Sequence, residues 1–410
     1  MNDIIDLKLT GIAHGGEALG KLEQRVIFVA YALPGERVRV QITESHKRWA
    51  RARLLEILEP SPSRVPPQCP MFGPQGCGGC QWQHVQPDTQ LDYLRRVLKD
   101  ALQRLGGLKN PLVRKGRSAG PAWRYRTRAH FRASGQGGLG LNKPQSRQVQ
   151  ALETCPLLAP DLDALYQEFN VAWDGLRSVE MMVGRDSGDK MVILRTRNDA
   201  LPLLEVDFPV SILLARHDGT MQPLLGETHY FETIAGYTYR FGPQAPGPTN
   251  IAAAEQIIQQ TRAYLRARPG QVLMDVYSGS GLFLQGLAEH VSMVIGIEED
   301  LAAMENAAFN CSHLDNVALH EGPPAKVLRK LLDPIDLAIV SPPDEGLGHR
   351  IAPNLARLGA RRLVYITENP ATLARDLPQL QRANYRFLEA TPIHTAPQTY
   401  HFTTVALFTR

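Results

Sequence analysis

The stretch Gln271-Val-Leu-Met-Asp-Val-Tyr-Ser-Gly-Ser-Gly281 predicts the fold of the C-terminal part of this 410-residue chain. It begins as a mostly apolar run of strand length, and the glycines that follow permit a tight turn. A second apolar strand is predicted at residues 293–297 and ends at Glu298. A Gly-x-Gly turn lets the backbone approach a ligand, and an acid that closes the second strand can hold ribose hydroxyls.

The glycine spacing also restricts the ligand. Leu284 occupies the position of the third glycine of a dinucleotide site, after Gly279 and Gly281. A nucleoside cofactor such as S-adenosylmethionine fits this pattern better than a dinucleotide. Ordinary turn glycines of an α/β domain would give the same spacing, so this alternative stays open.

Outward from this stretch, the last 170 residues alternate between helical and strand patterns, which predicts a mostly parallel, doubly wound sheet. A helix is expected from a Thr249 cap to about residue 268, and another from an Asp88 cap through a leucine stripe ending at Leu105. Residues 4–58 contain short strand patterns separated by turn signals, which favours a small β-barrel. The fold class is therefore α/β, with an OB-like barrel at 1–60, a central α+β domain at 61–240 and a Rossmann-like domain at 241–410.

The charge distribution points to a polyanionic partner. Residues 91–150 contain fourteen basic side chains and two acidic ones, whereas the whole chain has a net charge of only +4. Segregation on this scale is typical of nucleic-acid binding, although a charged surface can also be simply solvated. With 43% hydrophobic residues, no apolar run of membrane-spanning length and no recognisable signal peptide, we expect a soluble, cytoplasmic monomer.

The stretch Trp123-Arg-Tyr-Arg-Thr-Arg-Ala-His-Phe-Arg132 has alternating character. As one strand it would place its basic residues on a single face, where RNA phosphates would neutralise their mutual repulsion. The predicted RNA-binding residues are Arg124, Arg126, Arg128, His130 and Arg132.

Four of the five cysteines predict a metal centre. Cys69, Cys77 and Cys80 lie in one short loop, and Cys155 follows 75 positions later. Four thiolates suit a tetrahedral zinc ion or an iron–sulfur cluster, and the spacing alone does not separate these two. A disulfide is the alternative, but disulfides rarely persist in the cytosol.

Together these motifs resemble the S-adenosylmethionine-dependent RNA uracil-5-methyltransferases, which combine a TRAM barrel, a central RNA-binding domain with a [4Fe–4S] cluster and a class I methyltransferase domain. The resemblance extends over essentially the whole chain. Besides Gly279-Ser-Gly281, it is carried by the segments Cys77-Gly-Gly-Cys-Gln-Trp-Gln-His84, Tyr125-Arg-Thr-Arg-Ala-His-Phe131, Thr154-Cys-Pro-Leu157, Ser341-Pro-Pro343, Asn369-Pro-Ala-Thr-Leu373 and Pro397-Gln-Thr399 with His401.

The resemblance implies specific ligands. It implies a [4Fe–4S] cluster held by Cys69, Cys77, Cys80 and Cys155. It also implies S-adenosylmethionine bound near Asp275, Gly279, Gly281 and Glu298, although that binding could be weakened or lost, and an rRNA or tRNA partner.

At the chemical positions the sequence departs from the family. Glu368 stands where the family has its nucleophilic cysteine, and Thr403 stands where it has a basic glutamate. The family's Asp-Pro-Pro-Arg is here Ser341-Pro342-Pro343-Asp344. Carbon 5 of uracil needs a nucleophile on carbon 6 before it can accept a methyl group, and a carboxylate is a poor substitute for a thiolate.

Three functional readings follow in order of preference. The first is an RNA-binding or RNA-maturation protein without uracil methylation. The second is an altered RNA-modifying enzyme, because Ser341-Pro342-Pro343 resembles the motif by which amino-methyltransferases hold an exocyclic amine. The third is a conventional uracil methyltransferase despite the substitutions.

Overall fold

The computed structural model describes residues 3–135, 137–169, 175–197 and 205–410, which form a closed barrel, two large sheets and a two-stranded hairpin. In the described part of the chain, no helix is both long and apolar enough to cross a membrane.

The N-terminal barrel is built from alternating strands whose inward side chains form one core. Leu9, Val38 and Val40 are fully buried within it, as the period-two pattern predicts. The sequence patterns predict four of the five strands and miss the second, which contains Gly20, a residue more typical of turns. The barrel order is β1-β2-β3-β5-β4, and the strands are β1 (Ile4–Ile12), β2 (Ala18–Leu22), β3 (Arg25–Val29), β4 (Arg37–Ser45) and β5 (Trp49–Glu59).

A buried ion pair ties the proline-rich linker, residues 60–67, to the barrel that it follows. Glu36 is fully buried, and its carboxylate accepts hydrogen bonds from Arg64 Nε at 2.6 Å and from the backbone N–H of Leu33 at 2.8 Å. Burial by itself raises the pKa of Glu36, but these donors outweigh it and the net shift is downward. The linker is therefore fixed on the barrel rather than merely following it.

The first helix, α1 (Pro87–Arg104), belongs to the core of the C-terminal sheet. Leu94, Leu98 and Leu102 are fully buried there, as the leucine stripe predicts, but Leu105 is 61% exposed. The predicted Asp88 cap is wrong, because the helix starts at Pro87 after Gln86 and has no side-chain cap. A proline in the first turn needs no N–H partner, and Asp88 lies where its charge favours the helix dipole.

The second sheet has the order β13-β12-β11-β10-β7-β8-β9 and packs on both faces. Met181 and Val192 face α2, whereas Met182 and Met191 face the helix that opens the C-terminal unit. Its elements are β7 (Arg128–Ala133), β8 (Leu139–Asn142), β9 (Val149–Ala151), α2 (Pro160–Glu168), β10 (Leu176–Val183), β11 (Lys190–Thr196), β12 (Ser211–Ala215) and β13 (Met221–Leu225), and the hairpin of β14 (Tyr230–Ile234) and β15 (Tyr237–Phe241) follows.

The third sheet confirms the predicted doubly wound topology. Its order is β18-β17-β16-β19-β20-β22-β21-β6. Successive strands are added on one side of β16 up to β18 and on its other side from β19, so the strand order reverses between the parallel strands β16 and β19. The edge strand β6 (Arg117–Ser118) comes from the central segment of the chain. The remaining elements are α3 (Ile251–Leu265), β16 (Val272–Val276), α4 (Leu282–Leu287), β17 (Met293–Glu298), α5 (Leu301–Asn310), β18 (Val317–Glu321), α6 (Pro324–Lys330), β19 (Leu337–Val340), α7 (Ile351–Leu358), β20 (Arg362–Thr367), α8 (Pro370–Arg382), β21 (Arg386–His394) and β22 (Thr403–Thr409).

The predicted Thr249 cap of α3 is wrong by one residue. The cap is Asn250, whose side-chain oxygen accepts from the N–H of Ala253 at 3.2 Å. The side-chain amide of Asn250 also donates to the Thr395 carbonyl, so the start of α3 is tied to the end of the third sheet.

One junction of buried amides joins the three units. Gln90 Nε2 donates to Gln398 Oε1 at 3.1 Å, and the Gln398 N–H returns a bond to Gln90 Oε1 at 3.1 Å. The Gln398 carbonyl accepts from the N–H groups of Gln81 and Trp82, and Trp82 Nε1 donates to the barrel at Gly16. The cysteine loop, α1, the barrel and the C-terminal sheet therefore meet at Gln398. We name this set the glutamine junction.

Removal of the Gln90 side chain tests the glutamine junction. Gln90→Ala would leave the buried Gln398 amide without its partner, which is expected to lower the free energy of unfolding by about 2–3 kcal/mol. The exposed Gln103 of the same helix supplies the control, because Gln103→Ala removes an equal side chain without a buried partner. Urea unfolding of both variants measures the difference, and equal stability of Gln90→Ala and Gln103→Ala would contradict the role of the junction.

Candidate active site and cysteine cavity

The turn after β16 is held in an unusual backbone conformation. Tyr277, Gly279 and Gly281 all have positive φ, at 67°, 54° and 87°. A positive φ is unfavourable for tyrosine. The Tyr277 hydroxyl donates to the Leu347 carbonyl at 2.8 Å. The N–H groups of Tyr277 and Ser278 both donate to Ile297, so the turn is fastened to β17.

Glu298 organises the same turn from the end of β17. Its Oε2 accepts from the Gly279 N–H at 2.8 Å, and its Oε1 accepts from the N–H groups of Glu299 and Asp300 at 2.9 Å each. A carboxylate has about four acceptor positions, so Oε2 retains capacity for a ligand hydroxyl. The predicted pairing of a Gly-x-Gly turn with an acid at the next strand is thus present in the geometry.

Three polar side chains at this edge are buried without a partner among the described residues. Both carboxylate oxygens of Asp275 and the hydroxyls of Ser278 and Ser341 make no hydrogen bond there. Burial, and secondarily the charge of Glu298, raise the pKa of Asp275 to about 8. An unsatisfied buried polar group is destabilising by about 1–3 kcal/mol, so the edge favours a polar ligand.

Strand register brings the predicted catalytic positions together. β20 and β22 are antiparallel with Thr367 opposite Thr404; Glu368 follows directly after β20, and Thr403 is the first residue of β22. Ser341 begins the loop after β19, and its N–H donates to the Val276 carbonyl at 3.2 Å. Glu368, Thr403 and Ser341 therefore lie at the same edge of the sheet as the glycine turn.

The two loops that carry these residues are bonded to each other. The Asp344 carbonyl accepts from Thr372 Oγ1 at 2.9 Å and from Arg375. Both donors lie on α8, which begins two residues after Glu368 and is capped by Asn369. In the same loop the Leu347 N–H donates to Asp376 at 2.7 Å. The loop that contains Pro342 and Pro343 is thus held against α8.

Glu368 lies in an electrostatically unfavourable position for a carboxylate. The surrounding protein and the charge of Asp344 raise its pKa, whereas Arg128 acts in the opposite direction. Its side chain is nevertheless exposed, while Thr403 is buried. Neither side chain offers a thiol at this edge.

The fifth cysteine is part of the support beneath the turn. Cys311 is buried, and its sulfur would lie 3.4 Å from a Cβ added at Gly281. Burial, with a smaller effect of Asp275, raises the pKa of the Cys311 thiol to about 12. The thiol is therefore protonated near neutral pH and packs behind the turn.

The four predicted metal ligands line one cavity. Cys69, Cys77, Cys80 and Cys155 all border it, and all four are free thiols. In the described residues, however, no group of three or more ligating side chains is close enough to hold a metal ion. Among the described residues the thiols therefore line one cavity without being grouped around a single ion, and the cluster stays a prediction.

Arg126 is placed at this cavity rather than on an arginine face. It also borders the cavity, and its charge lowers the pKa of the thiols of Cys77, Cys80 and Cys155, which burial, the larger effect, raises. The charges around it outweigh the effect of burial on Arg126 itself, whose pKa is raised. A guanidinium here is suited to a negatively charged occupant.

The prediction of one strand over residues 123–132 is wrong in its first half. β7 begins at Arg128, and Arg124 has a positive φ of 54° with its N–H bonded to Pro156. Arg128, His130 and Arg132 alternate with the buried Ala129 and Phe131, as predicted. The basic face therefore comprises the three β7 residues, with Arg124 exposed beside it.

Comparison with known proteins covers nearly the whole chain. The TRAM domain model matches residues 2–55. An uncharacterized RNA methyltransferase of Streptomyces avermitilis is 34% identical, with 99% of this chain and 98% of that protein covered. The 23S rRNA (uracil(1939)-C(5))-methyltransferase of Alkalilimnicola ehrlichii is 30% identical, with 99% and 96% covered.

A solved structure has the same fold. Pyrococcus abyssi tRNA (uracil-54, C5)-methyltransferase in complex with S-adenosyl-L-homocysteine superposes with a TM-score of 0.77, covering 98% of this chain and 100% of that one. The sequence identity is 23%. This similarity shows a shared three-part architecture, including the methyltransferase fold.

The raised pKa of Asp275 predicts a pH-dependent stability. Between about pH 4 and 8 the folded protein keeps a proton that the unfolded chain releases, so this group lowers the unfolding free energy as pH rises through that window. Asp275→Asn removes the effect, and its stability gain over wild type should be larger at pH 8 than at pH 5 by about 2 kcal/mol or more.

Urea unfolding at the two pH values measures the gain. The exposed Asp315 provides the control, because Asp315→Asn should shift stability equally at both. A pH-independent difference for Asp275→Asn would show that Asp275 is ionised in the folded protein.

Proposed function

The chain belongs to the TRAM-containing RNA methyltransferase family, and from this premise we propose that it is an RNA-binding protein that does not methylate carbon 5 of uracil. The observation that supports this most directly is that Glu368, directly after β20, and Thr403, at the start of β22, lie at the same edge of the sheet and supply neither a thiol nor a carboxylate base in the family's positions. The proposed protein acts as a monomer on structured rRNA or tRNA in the cytoplasm.

Glu368 is unsuited to nucleophilic addition at carbon 6. A carboxylate is a weaker carbon nucleophile than a thiolate and a better leaving group, and its charge opposes the enolate that addition would create. The surrounding protein and the charge of Asp344 raise the pKa of Glu368, so its anion is less favoured than that of a free glutamate. The thiol of Cys311 is buried behind the glycine turn and does not replace it.

Thr403 offers no base for the later step. Removal of hydrogen 5 needs an acceptor whose pKa lies near the working pH, which a threonine hydroxyl lacks. Thr403 is also buried at the start of β22, where it pairs with Ile393 of β21. The two positions thus lack both partners of the uracil reaction.

RNA binding is supported by charge and its placement. The basic residues Arg128, His130 and Arg132 share one face of β7, and Arg128 is near enough to influence the Glu368 carboxyl. A basic face that ends at the candidate site would direct a nucleic-acid backbone toward it. Single-stranded or looped RNA is the favoured form, because its bases can be splayed into a cleft.

S-adenosylmethionine is the cofactor that the turn best fits. The orphaned carboxylate of Asp275, the glycines Gly279 and Gly281, and the free acceptor capacity of Glu298 together suit a polar nucleoside ligand. When bound, this cofactor supplies an electrophilic methyl group. In the proposed function S-adenosylmethionine is bound at this turn but gives no methyl group to carbon 5 of uracil.

We also propose a [4Fe–4S] cluster in the cysteine cavity. Four thiols around one cavity with a guanidinium at its wall suit a cluster with net negative charge. Such a group would tie Cys155 to the loop that carries Cys69, Cys77 and Cys80. The proposed role is to stabilise the central sheet beside the site.

A second candidate function is methylation of an exocyclic amine. Its support is the buried Ser341 hydroxyl, which has no partner among the described residues and lies at the cofactor edge. Such chemistry needs a hydrogen-bond acceptor for the amine and no nucleophile. Amine methylation that is lost in Ser341→Ala would favour this candidate over the first.

The cluster predicts iron and labile sulfide in anaerobically purified protein. Cys155→Ser should lose iron and lower the thermal midpoint, because the ligand most distant in sequence is removed. Cys311→Ala is the control, since it deletes a buried thiol outside the cavity and should keep full iron content. Stoichiometric zinc without sulfide would refute the cluster.

The catalytic proposal predicts that no covalent complex forms with RNA containing 5-fluorouracil. That complex needs a nucleophile on carbon 6, so denaturing electrophoresis should show free protein only. Glu368→Cys should still make no 5-methyluridine, because Thr403 and Ser341 are unchanged and residues that act as a unit are not additive. A covalent complex with the unmodified protein would overturn the proposal that the site lacks uracil C5 chemistry. A protein that does not bind RNA would instead refute the RNA-binding part of the proposed function.

A further inference from the structure

A second basic cavity lies at the far edge of the third sheet, away from the candidate site. It has a volume of about 470 Å³ and is formed by three separate parts of the chain. The connection from α1 to β6 forms one wall, α3 forms the second and β21 the third. The lining residues are Arg114, Lys115, Gly116, Arg117, Gln260, Tyr264, Glu389 and Thr391.

The charges of this cavity are not balanced. Arg114 pairs with Glu389, the one carboxylate of the lining. Lys115 and Arg117 are exposed and have no ion pair among the described residues. The cavity therefore has a net charge of about +2 and favours an anion.

Neutral polar groups complete the lining. The Tyr264 hydroxyl lies 2.7 Å from Thr391 Oγ1, and burial, the largest effect, raises the pKa of Tyr264 to about 12, so it stays protonated. Gln260 is only 4% exposed, and its Oε1 has no partner in the described protein. Because this oxygen is an acceptor, it favours a hydrogen-bond donor such as water at this wall, and the attraction for an anion comes from the basic side chains.

The chain connects this cavity to the basic face of β7. From Arg117 it runs along the start of α3, where Arg126 forms a bridge with Asn250. Gln260 lies ten residues further along α3, which corresponds to about 15 Å at the helical rise. About three turns of α3 thus separate the cavity from the segment that leads into β7.

We propose that this cavity binds a backbone phosphate of the RNA at a point remote from the candidate site. Lys115 and Arg117 supply the charge, and the Tyr264 and Thr391 hydroxyls supply neutral hydrogen bonds. The inference rests on the RNA binding of the proposed function and adds a second anchoring point to it. Lys115 and Arg117 belong to the basic segment 91–150 but lie outside the β7 face, and the proposed cavity gives them a role in RNA binding.

The salt dependence of RNA binding tests this proposal. The probe is a labelled single-stranded oligouridylate, titrated with the full-length protein between about 50 and 200 mM salt. Each lost phosphate contact lowers the slope of log affinity against log salt by about 0.7 on single strands. Lys115→Ala/Arg117→Ala should therefore lower the slope by about 0.7 to 1.4 relative to wild type.

A matched control removes the same charge from the opposite edge of the sheet. Arg329→Ala/Lys330→Ala changes one arginine and one lysine of α6, both exposed and without an ion pair in the described residues. Its slope should equal that of wild type.

The outcomes separate this proposal from the proposed function. If wild type binds and the Lys115/Arg117 variant has the slope of the control, the cavity does not bind phosphate although RNA binding stands. If wild type does not bind oligouridylate or rRNA at any salt concentration, the proposed function itself fails. Thermal midpoints of both double variants within about 2 °C of wild type exclude unfolding as the cause of a lower slope.

Discussion

The glutamine junction is the constraint on which the relative position of the units depends. Gln90 and Gln398 are 308 residues apart, yet the Gln90 side chain donates to the Gln398 side chain and accepts from the Gln398 backbone N–H. The Gln398 carbonyl in turn accepts from both N–H groups of the Gln81-Trp82 segment. Because Cys80 directly precedes that segment, the cysteine cavity is held next to the loop that leads into β22. Tyr125 reinforces this connection through its hydroxyl bond to the Pro397 carbonyl.

This placement explains why chemically unrelated features share one region. The glycine turn, Ser341 and Glu368 follow the parallel strands β16, β19 and β20, at the point where the strand order reverses. Doubly wound sheets bind their ligands at this point. Thr403 reaches the same edge because β22 runs antiparallel to β20. The basic face of β7 then meets this edge at Arg128, so a polyanion and a nucleoside could be bound side by side.

Local patterns predicted the local structure well. The apolar period located β16 and β17, and alternation in the N-terminal region located four of the five barrel strands. Errors arose where a tertiary contact overrode the pattern. Arg124 and Arg126 leave the predicted strand because their backbone bonds to the Cys155 segment and to Asn250, and such pairing has no local signal. The glutamine junction was likewise invisible, since neither glutamine belongs to a pattern of charge or hydrophobicity.

The account depends most on the claim that the site lacks uracil C5 chemistry. Its most direct test is nucleoside mass spectrometry of rRNA and tRNA from a bacterial host without its own 5-methyluridine enzymes that expresses this protein. The account predicts RNA without 5-methyluridine, although the protein is bound to it. Stoichiometric 5-methyluridine at any site, absent when the protein is not expressed, would contradict the account and show that Glu368 and Thr403 do not prevent the reaction.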